Sequence, residues 1–128
     1  MADEQNPQRP YIWKGSEGGF ISRKTAKEGV LAYRNSEASK ANGGTHAHYM
    51  GGEKVRQLLL APGAVGLRVY YAKSQSDDPT RHVKIGDADV YLVPVDSAGN
   101  NIFVDENGNS MIMDISLPCP VWCPKEDL

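Results

Sequence analysis

Cysteine is scarce: Cys119 and Cys123 are the only two in the 128 residues. That excludes a scaffold of several disulfides and a four-cysteine zinc site. Basic charge is not in excess either. Fourteen Lys and Arg against 16 Asp and Glu give a net charge of −2 and a pI near 5.9, so no positive field holds nucleic acid or an anionic membrane. No apolar run approaches the ~20 residues that span a bilayer. Met1 to Phe20 is polar and proline-containing, without the apolar core of a signal peptide. A cytoplasmic protein is expected, although export by a signal-free route would leave the same sequence. The chain also lacks a G-x-S-x-G elbow, a Walker loop and a dinucleotide fingerprint, and its glycine pairs (Gly18-Gly19, Gly43-Gly44, Gly51-Gly52) stand outside any such pattern. Acid–base catalysis needs only two carboxylates brought together by folding. The missing motifs therefore weigh against an enzyme without excluding one. The expectation is no catalytic residue and no cofactor, with no pocket that joins two carboxylates and no His beside a nucleophile.

Two stretches stand out among what is present. Gly66 to Ala72 and Ala88 to Asp96 are rich in β-branched and aromatic residues and are bounded by turn formers, so they read as paired strands. In the first, Leu67, Val69 and Tyr71 alternate with Arg68, Tyr70 and Ala72. The second is apolar on both faces, which suits a central strand, yet Pro94 cannot donate to a ladder and argues for an edge or a bulge. Between them, Lys73 to Asp87 is a polar connection with room for a short edge strand around His82 to Ile85.

Ahead of the strands, Ser22 reads as the cap of a helix that ends near Ala41, where Asn42-Gly43-Gly44 is a stop signal. A second helix is expected from about Glu53 to Ala61, with Val55, Leu58 and Leu59 on one face and Pro62-Gly63 ending it. After the strands, Ser97–Asn100 and Asp105–Gly108 read as turns, and Ser110–Ile115 as one more strand. The expected fold class is α+β, with two N-terminal helices packed on a small, mainly antiparallel sheet. The expected organisation is an extended arm over 1–20, one α+β domain over 21–117 and a Pro/Cys-rich tail over 118–128.

The ordered set His48-Tyr-Met-Gly-Gly-Glu-Lys-Val55, Pro62-Gly-Ala-Val-Gly-Leu-Arg-Val-Tyr-Tyr71, Leu92-Val-Pro-Val-Asp96 and Pro118-Cys-Pro-Val-Trp-Cys123 resembles a family of small uncharacterised bacterial proteins. That family is common in Bacteroidetes and ends in a Pro-Cys-Pro-x-x-Cys-like motif. The resemblance spans roughly Ser22 to Cys123. It implies a genuine domain and brings no activity or catalytic residue with it.

Four groups of residues could carry chemistry. Cys119 and Cys123, spaced C-x3-C, could complete a zinc site with His46 and His48, which point to one side of an extended segment. A local disulfide closing a tight loop would be plausible only in an oxidising compartment; the plainer expectation is two reduced thiols packed beside Trp122, held close by Pro118, Pro120 and Pro124, with His46 and His48 out of reach. His82 stands alone. Asp105-x-Asn107-x-Asn109 starts like a calcium loop, but Ser110 and Ser116 occupy the positions that need Gly and Glu. A hairpin turn explains these residues better.

Tyr11, Ile12 and Trp13 form an apolar cluster in a polar arm, and Trp122 is a large aromatic in a polar tail. Such residues either pin a terminus to its own domain or anchor a partner, since aromatics dominate interface hot spots. The leading expectation is a non-enzymatic binding or self-assembly module. Its arms contact further copies of the chain or another protein, with neither nucleic acid nor membrane as partner. The alternatives are a metal- or thiol-dependent protein and an enzyme without a recognisable motif.

Overall fold

A computed structural model describes residues 11–128, so the expectation for the first half of the N-terminal arm lies outside the described residues. Helix α1 (Arg23–Arg34) starts where expected, with the Ser22 hydroxyl accepting from the Thr25 amide at 3.1 Å. The single helix expected to reach Ala41 is broken. A separate helix, α2, spans Glu37–Ala41. The break lies at Asn35-Ser36, where the Ser36 hydroxyl donates to the Tyr33 carbonyl at 2.5 Å and accepts from the Ser39 amide at 3.3 Å. Both residue types offer the backbone local alternatives to the helical ladder, so a pair of them is a natural place to restart one.

Strand β1 (Ala47–Tyr49) follows, then helix α3 (Gly52–Leu59), strand β2 (Ala64–Lys73), a 3-10 turn (Pro79–Arg81), strand β3 (Ala88–Asp96) and strand β4 (Leu117–Cys119). The architecture is mixed α+β, with two small antiparallel sheets, β2–β3 and β1–β4. Helix α3 packs on β2 and β3, while α1, none of whose residues is buried, packs on α2. The core lies where α3 meets β3: Leu58, Ala61, Val93, Pro94 and Val95 are buried. Burying one such aliphatic side chain is worth about 1.5–3 kcal/mol.

The β2–β3 register resolves the Pro94 conflict. Pro94 stands opposite Leu67. On the far side of β3, Leu92 exchanges backbone hydrogen bonds with Met113, the Pro94 carbonyl accepts from Ile102 at 2.8 Å, and Asp96 donates to Asn100. Backbone groups alternate in direction along a strand, so Leu92, Pro94 and Asp96 point away from β2. The missing Pro94 amide therefore costs the β2–β3 ladder nothing. Among the described residues β3 is an edge strand, with only isolated bridges on the side away from β2. The same bridges replace the strand expected over Ser110–Ile115: only Ser110 and Met113 pair, with Val104 and Leu92. The Asp105 carboxylate accepts from the Asn107 and Asn109 amides at 2.8 and 2.9 Å, closing the expected turn.

Candidate functional site

The short β1–β4 sheet brings together residues about seventy positions apart. Ala47 pairs with Cys119, and the His46 amide donates to the Cys119 carbonyl at 3.0 Å. The His46 ring, its side chain only 4% exposed, then lies with Nε2 at 2.8 Å from Asp127 Oδ2 and 3.6 Å from Cys119 Sγ. Its Nδ1 faces the Gly44 carbonyl at 3.2 Å. The hydrogen bond from His46 holds the Asp127 carboxyl below its usual range. Two expectations are corrected here. His46 does reach the cysteines, because strand pairing and not the helix-side loop sets its position. Cys119 and Cys123 are not two thiols: they are disulfide-bonded, with Cα atoms 4.8 Å apart. Cys119 is buried and Cys123 exposed.

His48 takes another direction. Both histidines line one open cavity of about 690 Å3, together with Tyr33, Tyr71, Lys73 and Asp89. However, His48 Nδ1 lies 3.1 Å from Ser116 Oγ, and His48 is not part of the His46–Cys119–Asp127 cluster. Desolvation, followed by the nearby Arg81 charge, pushes the His48 pKa down. Arg81, itself buried, donates to the Ser116 carbonyl at 2.7 Å and to the Asp78 carboxylate at 2.9 Å, which ties the long polar connection to β4.

Asp89 is 4% exposed and its carboxyl is pushed up to about 6, first by desolvation and then by a hydrogen bond with Asp114. Asp89 Oδ2 and Asp114 Oδ1 are buried, and neither has a hydrogen-bond partner atom among the described residues. One proton shared between the two carboxyls satisfies both oxygens at once. The cavity thus adjoins a carboxyl pair, and a His stands beside a hydroxyl, contrary to expectation. The hydroxyl is no nucleophile as placed, since Ser116 is 0% exposed and no substrate atom can approach it. What remains is an acidic group and an imidazole on one cavity wall.

The aromatic anchors divide. The Trp13 amide donates to the Ser97 carbonyl at 2.9 Å, and the indole lies against Gly99 with the Arg68 guanidinium 5.1 Å from its ring centre. Tyr11 packs edge-on to Trp13, and its hydroxyl donates to Glu17 at 2.5 Å. Ile12 is exposed. Trp122 donates from its indole to the Arg81 carbonyl at 3.0 Å and meets the His82 ring edge-on.

Sequence reasoning missed Asp127, Asp89 and Asp114 as chemical partners. Asp127 reads as one more acid in a charged tail, and the other two as ordinary strand and loop polar residues, so no local signal marks them. Comparison with known proteins finds no matching family model, no matching curated relative and no matching solved structure.

Proposed function

We propose that this protein is a self-assembly module whose copies associate through the outer edge of β2. The observation that carries the reading is that edge. β2 is 10 residues long and pairs with one neighbour only among the described residues. In its register with β3, the backbone groups of Leu67, Val69, Tyr71 and Lys73 point outward, and among the described residues only the Lys73 carbonyl finds a partner there, the Gln75 side-chain amide at 3.0 Å. Folded proteins blunt such edges with charge, proline or bulges. β2 has a bulge at its start and a lysine at its end, but Val69 to Ala72 carries no charge. Val69 is 53% and Tyr71 93% exposed. An added strand satisfies the backbone groups and covers those side chains.

In this reading Trp13 seats the arm on its own domain, and Tyr11 and Ile12 extend the contact beside the edge. The motif resemblance supplies no activity, so the reading rests on this geometry.

Light scattering on the full chain tests it. Self-association is expected at high micromolar concentration, with Val69→Lys and Tyr71→Lys each shifting the mass to monomer while leaving circular dichroism unchanged. A wild-type chain that stays monomeric at millimolar concentration overturns the proposal.

A further inference from the structure

We infer that reduction of the Cys119–Cys123 disulfide opens a zinc site formed by His46 Nε2, Cys119 Sγ, Asp127 and Cys123 Sγ. Among the described residues, the donor atoms of His46, Cys119 and Asp127 all lie within 4.8 Å of one another. A single zinc ion, with bonds of about 2.0–2.3 Å, spans that distance after small side-chain adjustments. Cys123 brings the fourth donor, since its sulfur is bonded to Cys119 in the oxidised chain. The C-x3-C spacing falls within the range of zinc-binding cysteine pairs.

Three features of the geometry point to a metal and not to an incidental cluster. First, the His46 side chain is buried and oriented from behind. Its Nδ1 lies 3.2 Å from the Gly44 carbonyl, which can only accept, so Nδ1 carries a proton and Nε2 is the ring's remaining donor atom. Second, Nε2 and Asp127 Oδ2, 2.8 Å apart, need a positive species between them. A proton fills that place in the oxidised chain, and a zinc ion can replace it. Third, His46 and Cys119 are joined through backbone pairing at the end of β1–β4, so their relative placement does not depend on the tail.

In the oxidised chain the sulfurs are bonded to each other and are poor ligands, because zinc binds the thiolate. Exposed Cys123 is the sulfur that an external dithiol can attack, and buried Cys119 is then the leaving thiolate beside the His46–Asp127 pair. The dithiol gives up two electrons and two protons and becomes a disulfide, while the protein disulfide becomes two thiols. Zinc binding then displaces the thiol protons and the proton between Nε2 and Asp127 to solvent. The site is therefore gated: zinc is excluded under oxidising conditions and admitted under reducing ones.

Zinc uptake by the full chain, measured by competition with a chromophoric chelator, tests this directly. One zinc per reduced chain is expected, and none per oxidised chain. Cobalt should give the intense visible bands of a tetrahedral site and a thiolate-to-cobalt charge-transfer band. In the reduced state, His46→Ala and Asp127→Asn should each weaken zinc at least ~10-fold. Cys123→Ser cannot form the disulfide, so it should bind zinc without reductant through the three remaining ligands. Asp127 lies in the partly exposed tail, so its variant keeps the test valid if His46→Ala fails to fold. Absence of stoichiometric zinc in the reduced chain overturns the proposal. So does unchanged affinity in Asp127→Asn, or cobalt spectra without thiolate charge transfer.

Discussion

The buried carboxyl of Asp89 couples the fold to pH. It is buried against Asp114, and desolvation raises its pKa from the ordinary 3.8 to about 6. The folded chain therefore holds a proton that the unfolded chain releases between those values, and stability falls as pH rises through that window, levelling off above it. Asp89→Asn mimics the protonated carboxyl, since its amide can donate to Asp114 while its oxygen still accepts from the Val90 amide at 2.9 Å. The variant should be more stable than wild type by about 1–2 kcal/mol at pH 7.5 and indistinguishable from it at pH 4. Thermal unfolding of both proteins at the two pH values reads this out. A destabilised variant at pH 7.5 means that Asp89 is ionised in the folded chain and shares no proton with Asp114.

Among the elements, the 96–99 turn after β3 and the arm depend on each other. Gly99 has φ +86°, and a Cβ there would overlap the Trp13 indole. Gly99→Ala is thus strained in its backbone and displaces Trp13 from Arg68, with an expected cost of about 1–3 kcal/mol. The chain has two tryptophans. In a Trp122→Phe background the fluorescence belongs to Trp13, and Gly99→Ala should shift it towards that of a solvated indole. An unchanged spectrum means that the arm does not rest on the turn. Helices α1 and α3 differ in the same way. α3 is held by the buried Leu58 against β2 and β3, whereas α1 is held by its Ser22 cap and by α2. A 12-residue helix is marginal alone in water, so α1 should exchange its amide hydrogens well before α3.

For the molecule as a whole, the question is how much the N-terminal arm contributes to folding and how much to association. None of the residues from Tyr11 to Gly19 is buried, so the core described above is complete without them. Deleting Met1 to Gly19 should leave a cooperative, folded domain with its melting temperature lowered by only a few degrees, and should weaken self-association on dilution. Calorimetry and light scattering on the truncated chain check both halves. Loss of cooperative unfolding would make the arm part of the domain's own core.

Much of the fold was written in contiguous residues. The alternation of Leu67, Val69 and Tyr71, the β-branched run of Ala88 to Asp96, the stop at Pro62-Gly63 and the Asp105–Gly108 turn are each specified within a few positions, by side-chain period and by backbone preference. The Asn35-Ser36 break was not anticipated: residues that can compete for backbone hydrogen bonds also sit inside many continuous helices, so the pair does not by itself mark an interruption. Other features depended on the tertiary structure alone. His46 meets Asp127 and Cys119 across separations of 81 and 73 residues, and Asp89 meets Asp114 from a different segment. The direction in which Pro94 and Val69 turn their backbone groups follows from the β2–β3 register. A local sequence pattern sets the shape of each element, whereas contacts between distant residues are set by which strands pair and in what register, and that follows from burying the whole core at once.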